Sequence, residues 1–183
     1  MDEATTDGPE GRRVIYKGRK VDLALQSIRL SDGKTADREV IIHPGAVGLV
    51  AMVDADRVCL VRNFRYPPAR SILEIPAGTL DPGETPESTA ARELIEETGY
   101  RAGRIEPVST WWVSPALMTE RMHIFLCTEL SPGPTEHQPD ERIEPIVVTW
   151  DEAMAMVADG RIDDAKTMLA LLICDARRKA ARA

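Results

Sequence analysis

One stretch constrains this chain more than any other: Gly78 to Tyr100, "GTLDPGETPESTAARELIEETGY". Its ends carry helix signals. Thr85 suits an N-cap, Pro86 the first helical position and Gly99 the residue past the last turn, which predicts a helix over 86–98. Glu93, Glu96 and Glu97 fall within five residues of that helix. Like charges at such spacing repel by about 0.2–0.5 kcal/mol per pair, so the cluster needs a reason. At about 100° per residue, Glu97 stands about 40° to one side of Glu93 and Glu96 about 60° to the other. Leu94, Thr98, Ala91 and Ile95 form the stripe expected to pack. The three carboxylates are therefore expected on the face opposite the core. Two readings fit them. One is a solvated acidic face. The other is a site for hard divalent cations, which take carboxylate oxygens and hold the phosphate oxygens of a substrate.

The remaining sequence surrounds this helix with strands. "RVIYKG" and "VDLALQSIRL" read as strands, "SDGKTAD" as a turn and "REVIIH" as a returning strand. "AVGLVAMV" and "RVCLVRNFR" read as a hairpin about "DAD". "SILEIPAG" reads as one strand ending in a Pro-Ala-Gly turn. "IEPVSTWWV" and "MHIFLCTEL" flank the loop "SPALMTER", and "RIEPIVVTW" is a further strand. Trp111 and Trp112 point to opposite faces of their strand, and one of them is expected in the core. "DEAMAMVADG" reads as a short helix, and "DDAKTMLALLICDARRKAARA" as a last one with acids first and bases last, as the helix dipole favours. Many strands with a few helices between them predict an α/β fold. The expected organisation is a disordered lead-in over 1–12, an N-terminal β-region over 13–43 and a main domain over 44–183.

Composition narrows the function. The 183 residues carry a formal net charge of −7, which disfavours a nucleic-acid backbone as the main partner. The opening "MDEATTDGPEGRR" lacks the apolar core of a signal peptide, and no apolar run reaches the length of a membrane span, so a cytoplasmic protein is expected. Cys59, Cys127 and Cys174 are far apart, each in an apolar run, and read as buried reduced thiols.

The stretch reads Gly78, five residues, Glu84, seven residues, Arg92-Glu93-Leu94, one residue, Glu96-Glu97, one residue, Gly99-Tyr100. It resembles the Nudix box, G-x5-E-x7-R-E-U-x-E-E-x-G-U, at every specified position. The resemblance implies a Nudix hydrolase, with an α/β/α sandwich around a mixed sheet, that cleaves a nucleoside diphosphate linked to another moiety. It implies Mg2+ or Mn2+, two or three ions. Carried over, Glu93 and Glu97 are the main metal ligands, Glu96 a further one, and the Ala77 carbonyl another. Glu84 and Arg92 are implied as an ion pair that orients loop and helix, with Gly99 closing the box. Gly78 and Thr79 stand beside the substrate, and Gly78 and Gly83 permit a tight loop.

The surroundings of the box resemble ADP-ribose pyrophosphatases. Ser114-Pro115 stands where that subfamily has a Ser-Pro-Gly loop, although Ala116 replaces the glycine. "ILEIPAG" and "VRNFRYP" fit the same subfamily, and "SPALMTERMHIFLC" fits GDP-mannose pyrophosphatases as well. The resemblance thus implies hydrolysis of a nucleoside diphosphate sugar, ADP-ribose to AMP and ribose 5-phosphate, with GDP-mannose as the rival substrate. A catalytically inactive nucleotide-sugar sensor is the rival of another class. Glu120, the acid of the loop, is the candidate general base, with Glu141 and Glu144 as alternatives, and Glu97 is counted with Glu120 as catalytic as well as a metal ligand. Arg65 is assigned to the substrate diphosphate or terminal ribose, where a fork of donors is apt. The subfamily implies a homodimer that exchanges the N-terminal β-region.

Overall fold

The structure, a computed structural model, describes residues 11–135 and 142–181. Gly11 and Arg12, at the end of the expected lead-in, are described, and Arg12 already opens a strand. Residues 1–10 and Glu141 lie outside the described residues. The chain divides into two compact units, one made of Met1–Gly45 with Trp111–Met122, the other of Ala46–Thr110 with His123–Ala183.

The first unit holds three antiparallel strands in sequence order: β1 (Arg12–Lys17), β2 (Asp22–Arg29) and β3 (Thr35–Ile42). Residues 111–122 join this unit through backbone hydrogen bonds and the Thr119 hydroxyl. Ile41 N donates to Leu117 O at 2.9 Å, Thr119 N to Ile41 O at 2.9 Å, and His43 N to Thr119 Oγ1 at 2.8 Å.

The second unit is built on β4 (Ala46–Met52), β5 (Arg57–Arg65), β6 (Arg70–Glu74), β7 (Ala77–Thr79), α1 (Pro86–Thr98), β8 (Arg101–Trp112), β9 (Arg121–Ser131), β10 (Ile143–Thr149), α2 (Trp150–Ala158) and α3 (Ala165–Ala180), with β8 and β9 running on into the first unit. The main sheet runs β10-β5-β4-β9-β8. β4 and β5 form the expected hairpin, paired at Ala51 with Cys59 and Met52 with Val58. Beyond that they diverge, and β6 and β7 fill the gap. β6 pairs with the far half of β5, and β7 with the near half of β4.

The expected single strand "SILEIPAG" is thus two. Pro76 has no amide hydrogen to give a ladder, and its carbonyl accepts from Leu49 N at 2.9 Å. Ile75 N donates instead to Thr167 Oγ1 of α3 at 2.9 Å. The break moves the chain from β5 to β4 and brings Ala77 and Gly78 under α1.

Alternation along the strands separates the faces. Val47, Leu49 and Ala51 of β4 and Phe125 and Cys127 of β9 pack with Ala90 and Leu94 of α1. α3 buries Thr167, Ala170, Leu171 and Cys174 and packs on β4 and α2. Full burial of a leucine such as Leu94 or Leu171 contributes about 2 kcal/mol. No helix among the described residues is long and apolar enough to cross a membrane.

Candidate active site

α1 starts and stops on local chemistry. Ser88 N donates to Thr85 Oγ1 at 3.2 Å and Thr85 N to Ser88 Oγ at 2.9 Å, a reciprocal capping box. Gly99 is left-handed at φ 74°, and its N–H donates to Ile95 O at 2.9 Å.

Between these ends, the helix turns inward a face other than the expected one. Thr89, Ala90, Glu93, Leu94, Glu97 and Thr98 are buried, while Ala91 and Ile95 are half-buried. Glu93 is 7% exposed and Glu97 3%, so these two acids do not stand opposite the core. Glu96 is half-buried at the margin. The cause lies on β7. A Cβ added to Gly78 would sit 1.8 Å from Glu93 Cδ, so the Glu93 carboxylate fills the room a side chain would take. Gly78 is not left-handed, and space rather than backbone freedom requires glycine there. One turn on, Ala77 N donates to Glu97 Oε2 at 2.9 Å. A hydrophobic wheel assumes that acids seek water. Here a bare glycine and a backbone donor meet them inside.

Arg92 ties the stretch together. Its Nε and Nη2 donate to the two oxygens of Glu84, each at 2.9 Å, a bidentate pair. Nη1 donates to Glu93 Oε1 at 2.8 Å and Glu96 Oε2 at 3.0 Å, and Nη2 also to Thr79 O at 3.3 Å. Glu84 also accepts from Thr89 Oγ1 at 2.8 Å and Asp81 N at 3.1 Å. The hydrogen bonds of Arg92, then that of Thr89, hold the Glu84 carboxyl down to about 2. The same pairing with Glu84 pushes the Arg92 guanidinium above its ordinary value against the opposing effect of burial, with Glu93 and Glu96 adding to the shift. Glu84, Glu93 and Glu96 thus share the Arg92 guanidinium, while the charge of Glu97 acts on Arg65.

Carboxylate oxygens beside the Ala77–Gly78 backbone are the hard donors that a hard divalent cation takes, so the residues fit such an ion in kind. Among the described residues no three His, Cys, Asp or Glu side chains converge as a preformed cage. Arg92 Nη1 holds the point between Glu93 and Glu96.

Arg65 is held by Glu74, whose hydrogen bonds, with the charges of Glu74, Glu97 and Asp164, raise its guanidinium against the opposing effect of burial. Its Nε and Nη2 donate to the two oxygens of Glu74 at 2.7 and 2.5 Å. Glu74 is 1% exposed and also accepts from Lys166 Nζ at 2.5 Å. Burial works to raise the Glu74 carboxyl, but the hydrogen bonds and charges of Arg65 and Lys166 prevail and hold it below its ordinary value. Lys166 also donates to Asp164 at 3.0 Å. Asp164 caps α3 and accepts from Thr167 Oγ1 at 2.6 Å. Sequence reasoning passed over Glu74. Its signal was an acid within the apolar run "SILEI". Arg62 stands exposed and contacts Glu144 at 3.6 Å.

In the first unit, Ser114 O accepts from Leu117 N at 3.0 Å and Met118 N at 2.9 Å, a turn that holds Pro115. Val113 N donates to Glu120 O at 3.2 Å, closing the loop, and Glu120 is half-buried. Neither tryptophan is core: Trp111 is half-buried and Trp112 is 50% exposed, with the Arg121 guanidinium 4.6 Å over its ring. Both residues end β8 and belong to the first unit. Cys59, Cys127 and Cys174 are free and buried, as expected, and burial pushes the first two thiols up to about 12.

A family model described as NUDIX domain matches residues 42–171. An ADP-ribose pyrophosphatase of Bacillus subtilis (strain 168) is 41% identical over 159 residues, 86% of this chain and 86% of that one. A methanol dehydrogenase activator of Bacillus methanolicus is 38% identical over the same shares of each chain. A solved structure of an ADP compounds hydrolase superposes with a TM-score of 0.82 over 99% of this chain and 98% of that one, at 22% identity, a likeness of fold. The α/β architecture inferred from the strand and helix pattern is the one these matches share.

Proposed function

Because the chain belongs to the NUDIX domain family and is a Nudix hydrolase, we propose that it cleaves the pyrophosphate bond of a nucleoside diphosphate sugar, with ADP-ribose as its preferred substrate. The observation that carries this reading is the pair of buried carboxylates, Glu93 and Glu97, set against the bare backbone of Ala77 and Gly78. Hydrolases of this family generally use divalent metal ions. Mg2+ or Mn2+, two or three ions, is our assignment here. Glu93 and Glu97 would hold the metal, with the Ala77 carbonyl and Glu96 completing the donors. When bound, it neutralises diphosphate charge and polarises the phosphoryl oxygens.

The chain's own residues do the rest. Arg92, braced by Glu84, fixes Glu93 and Glu96 through one nitrogen and holds the Thr79 carbonyl. Gly78, Thr79 and the Ser114-Pro115 turn are assigned to the substrate. Glu120 removes a proton from the attacking water. A new P–O bond forms at one phosphorus as the bridging P–O bond breaks, giving AMP and ribose 5-phosphate. Glu144 stands on β10 as the alternative base, and Glu141 as another outside the described residues. Arg65 reaches the diphosphate in this reading while Glu74 holds two of its nitrogens. The rigid fork is thereby aimed before substrate arrives.

The protein works as a homodimer, with the β1–β3 sheet exchanged between copies. That sheet has little core of its own: Ala24 is its fully buried residue among half-buried and exposed ones, and Ile15 and Tyr16 are 46% and 66% exposed. Free cysteines fit a reducing compartment, and we assign the protein to the cytoplasm, with a small-molecule substrate rather than nucleic acid or membrane as its partner.

The test is a panel of ADP-ribose, GDP-mannose and ADP-glucose with Mg2+ and with Mn2+. ADP-ribose is expected to give the highest kcat/KM, and metal removal to abolish turnover. A preference for GDP-mannose overturns the substrate. Binding without turnover on every member supports the sensor instead. A Glu97→Gln variant as fast as the parent overturns the metal assignment.

A further inference from the structure

A cleft of about 220 Å³ opens on the face of the main sheet away from α1. Its floor is Met52, Val108 and Leu126. Met52 and Leu126 alternate with Ala51, Phe125 and Cys127, which face α1, so the cleft and the acidic helix lie on opposite faces of the same strands. One wall is the last half of α3, with Cys174, Arg177 and Arg178, and another is Trp150 at the start of α2.

Polar ties around the rim fix the last half of α3 in place over the sheet. Arg177 Nη2 donates to Val108 O in a short hydrogen bond. Arg178 Nη2 donates to Ala55 O at 2.9 Å, and its guanidinium lies 4.7 Å over the Trp150 ring. Trp150 Nε1 donates to Asp175 Oδ1 at 3.0 Å. These ties run from α3 to β8, to the β4–β5 turn and to α2. The cleft is therefore framed by the chain's own contacts.

The rim charge is positive. Asp54, which also borders the cleft, is already paired with Arg57 at 2.7 Å. Among the described residues no carboxylate pairs with Arg177. Arg178 has a 3.6 Å contact with Asp56, a largely exposed acid. An apolar floor under two guanidinium groups is complementary to one chemistry: a small apolar body that carries an anionic head. A cavity of about 150 Å³ holds benzene, so this one takes a single ring or a short alkyl chain together with a carboxylate. We propose that this cleft is a second binding site, separate from the hydrolytic one, for a small apolar monocarboxylate whose acid group meets Arg177 and Arg178. The proposal stands independently of the substrate assigned above.

The full-length chain would be titrated with phenylacetate, with neutral phenylacetamide and with cationic phenethylamine, followed by calorimetry and by NMR shifts. The expected result is saturable phenylacetate binding, at least about tenfold tighter than the amide, with no binding of the amine. Arg177→Gln is expected to remove the preference for the acid while the amide still binds. Thr128→Leu, which fills the cleft from a half-buried position, is expected to abolish binding of both while hydrolysis of ADP-ribose continues. The last readout shows that the variant folds. No saturable binding of phenylacetate, equal affinity for the amide, or binding unchanged in Thr128→Leu would each overturn the proposal.

Discussion

Gly78→Ala tests the central piece of the site. The new Cβ would lie 1.8 Å from Glu93 Cδ and Oε1 and 2.4 Å from Oε2. Ordinary contact begins near 3.4 Å, so the carboxylate must withdraw by about 1.6 Å or β7 must move away from α1. Gly78 has no left-handed φ, so the substitution adds no intrinsic backbone strain and its whole effect falls on Glu93. Withdrawal breaks the 2.8 Å bond from Arg92 Nη1. A hydrogen bond to a charged group contributes about 1.5–3 kcal/mol, which is the stability loss expected in urea unfolding. Misplacing a reacting group by about 1 Å costs about a hundredfold in rate, so kcat on ADP-ribose should fall by at least that much. A double-mutant cycle isolates the clash between Gly78 and Glu93. In a Glu93→Ala background there is nothing to displace, and Gly78→Ala should then change stability by less than about 0.5 kcal/mol. Gly83→Ala is the control. That glycine is left-handed at φ 87° with no neighbour within 4 Å, so alanine should cost about 1–2 kcal/mol of strain and leave turnover intact. Additive losses in the Gly78/Glu93 cycle, or full activity of Gly78→Ala, would refute the steric account.

Other expectations follow from the same contacts. Glu84 sits at about 2 against an ordinary 4.5, so its contribution is present above 4.5 and fades as the pH falls from there toward 2. With allowance for screening, Glu84→Gln should be less stable than the parent by about 1–2 kcal/mol at pH 7, with the gap closing below pH 4.5 in unfolding curves. Arg65→Gln leaves buried Glu74 with Lys166 alone, and breaking a buried pair predicts a loss of about 3 kcal/mol, read from thermal unfolding. A raised KM with unchanged stability would instead make Arg65 a substrate contact only. Glu120→Gln should lower kcat by about 10²–10⁴-fold with KM little changed, while Glu144→Gln should not, and the reverse outcome transfers the base to Glu144.

Much of the architecture was legible because it depends on near neighbours. The bounds of α1 follow from Thr85, Pro86 and Gly99, whose capping geometry closes within three or four residues. The β4–β5 hairpin follows from two apolar runs about a short turn. The break within "SILEIPAG" was not legible, because β6 and β7 part where Thr167, 92 residues away, takes the Ile75 amide. Arg65 was legible as a fork, but its partner was not, since pairing with Glu74 depends on the β5–β6 register.

The box itself divides in the same way. Sequence alone determined that residues 86–98 form a helix and that three of its acids lie within reach of one another, because rise and turn per residue are local properties. It could not determine which of them leave water. Only the tertiary structure decided that Glu93 and Glu97 turn inward, where β7 presents Gly78 without a side chain and Ala77 with a free direction for its amide. Burying a carboxylate is stable only where a donor and space are supplied, and both come from a strand that a helical wheel does not contain.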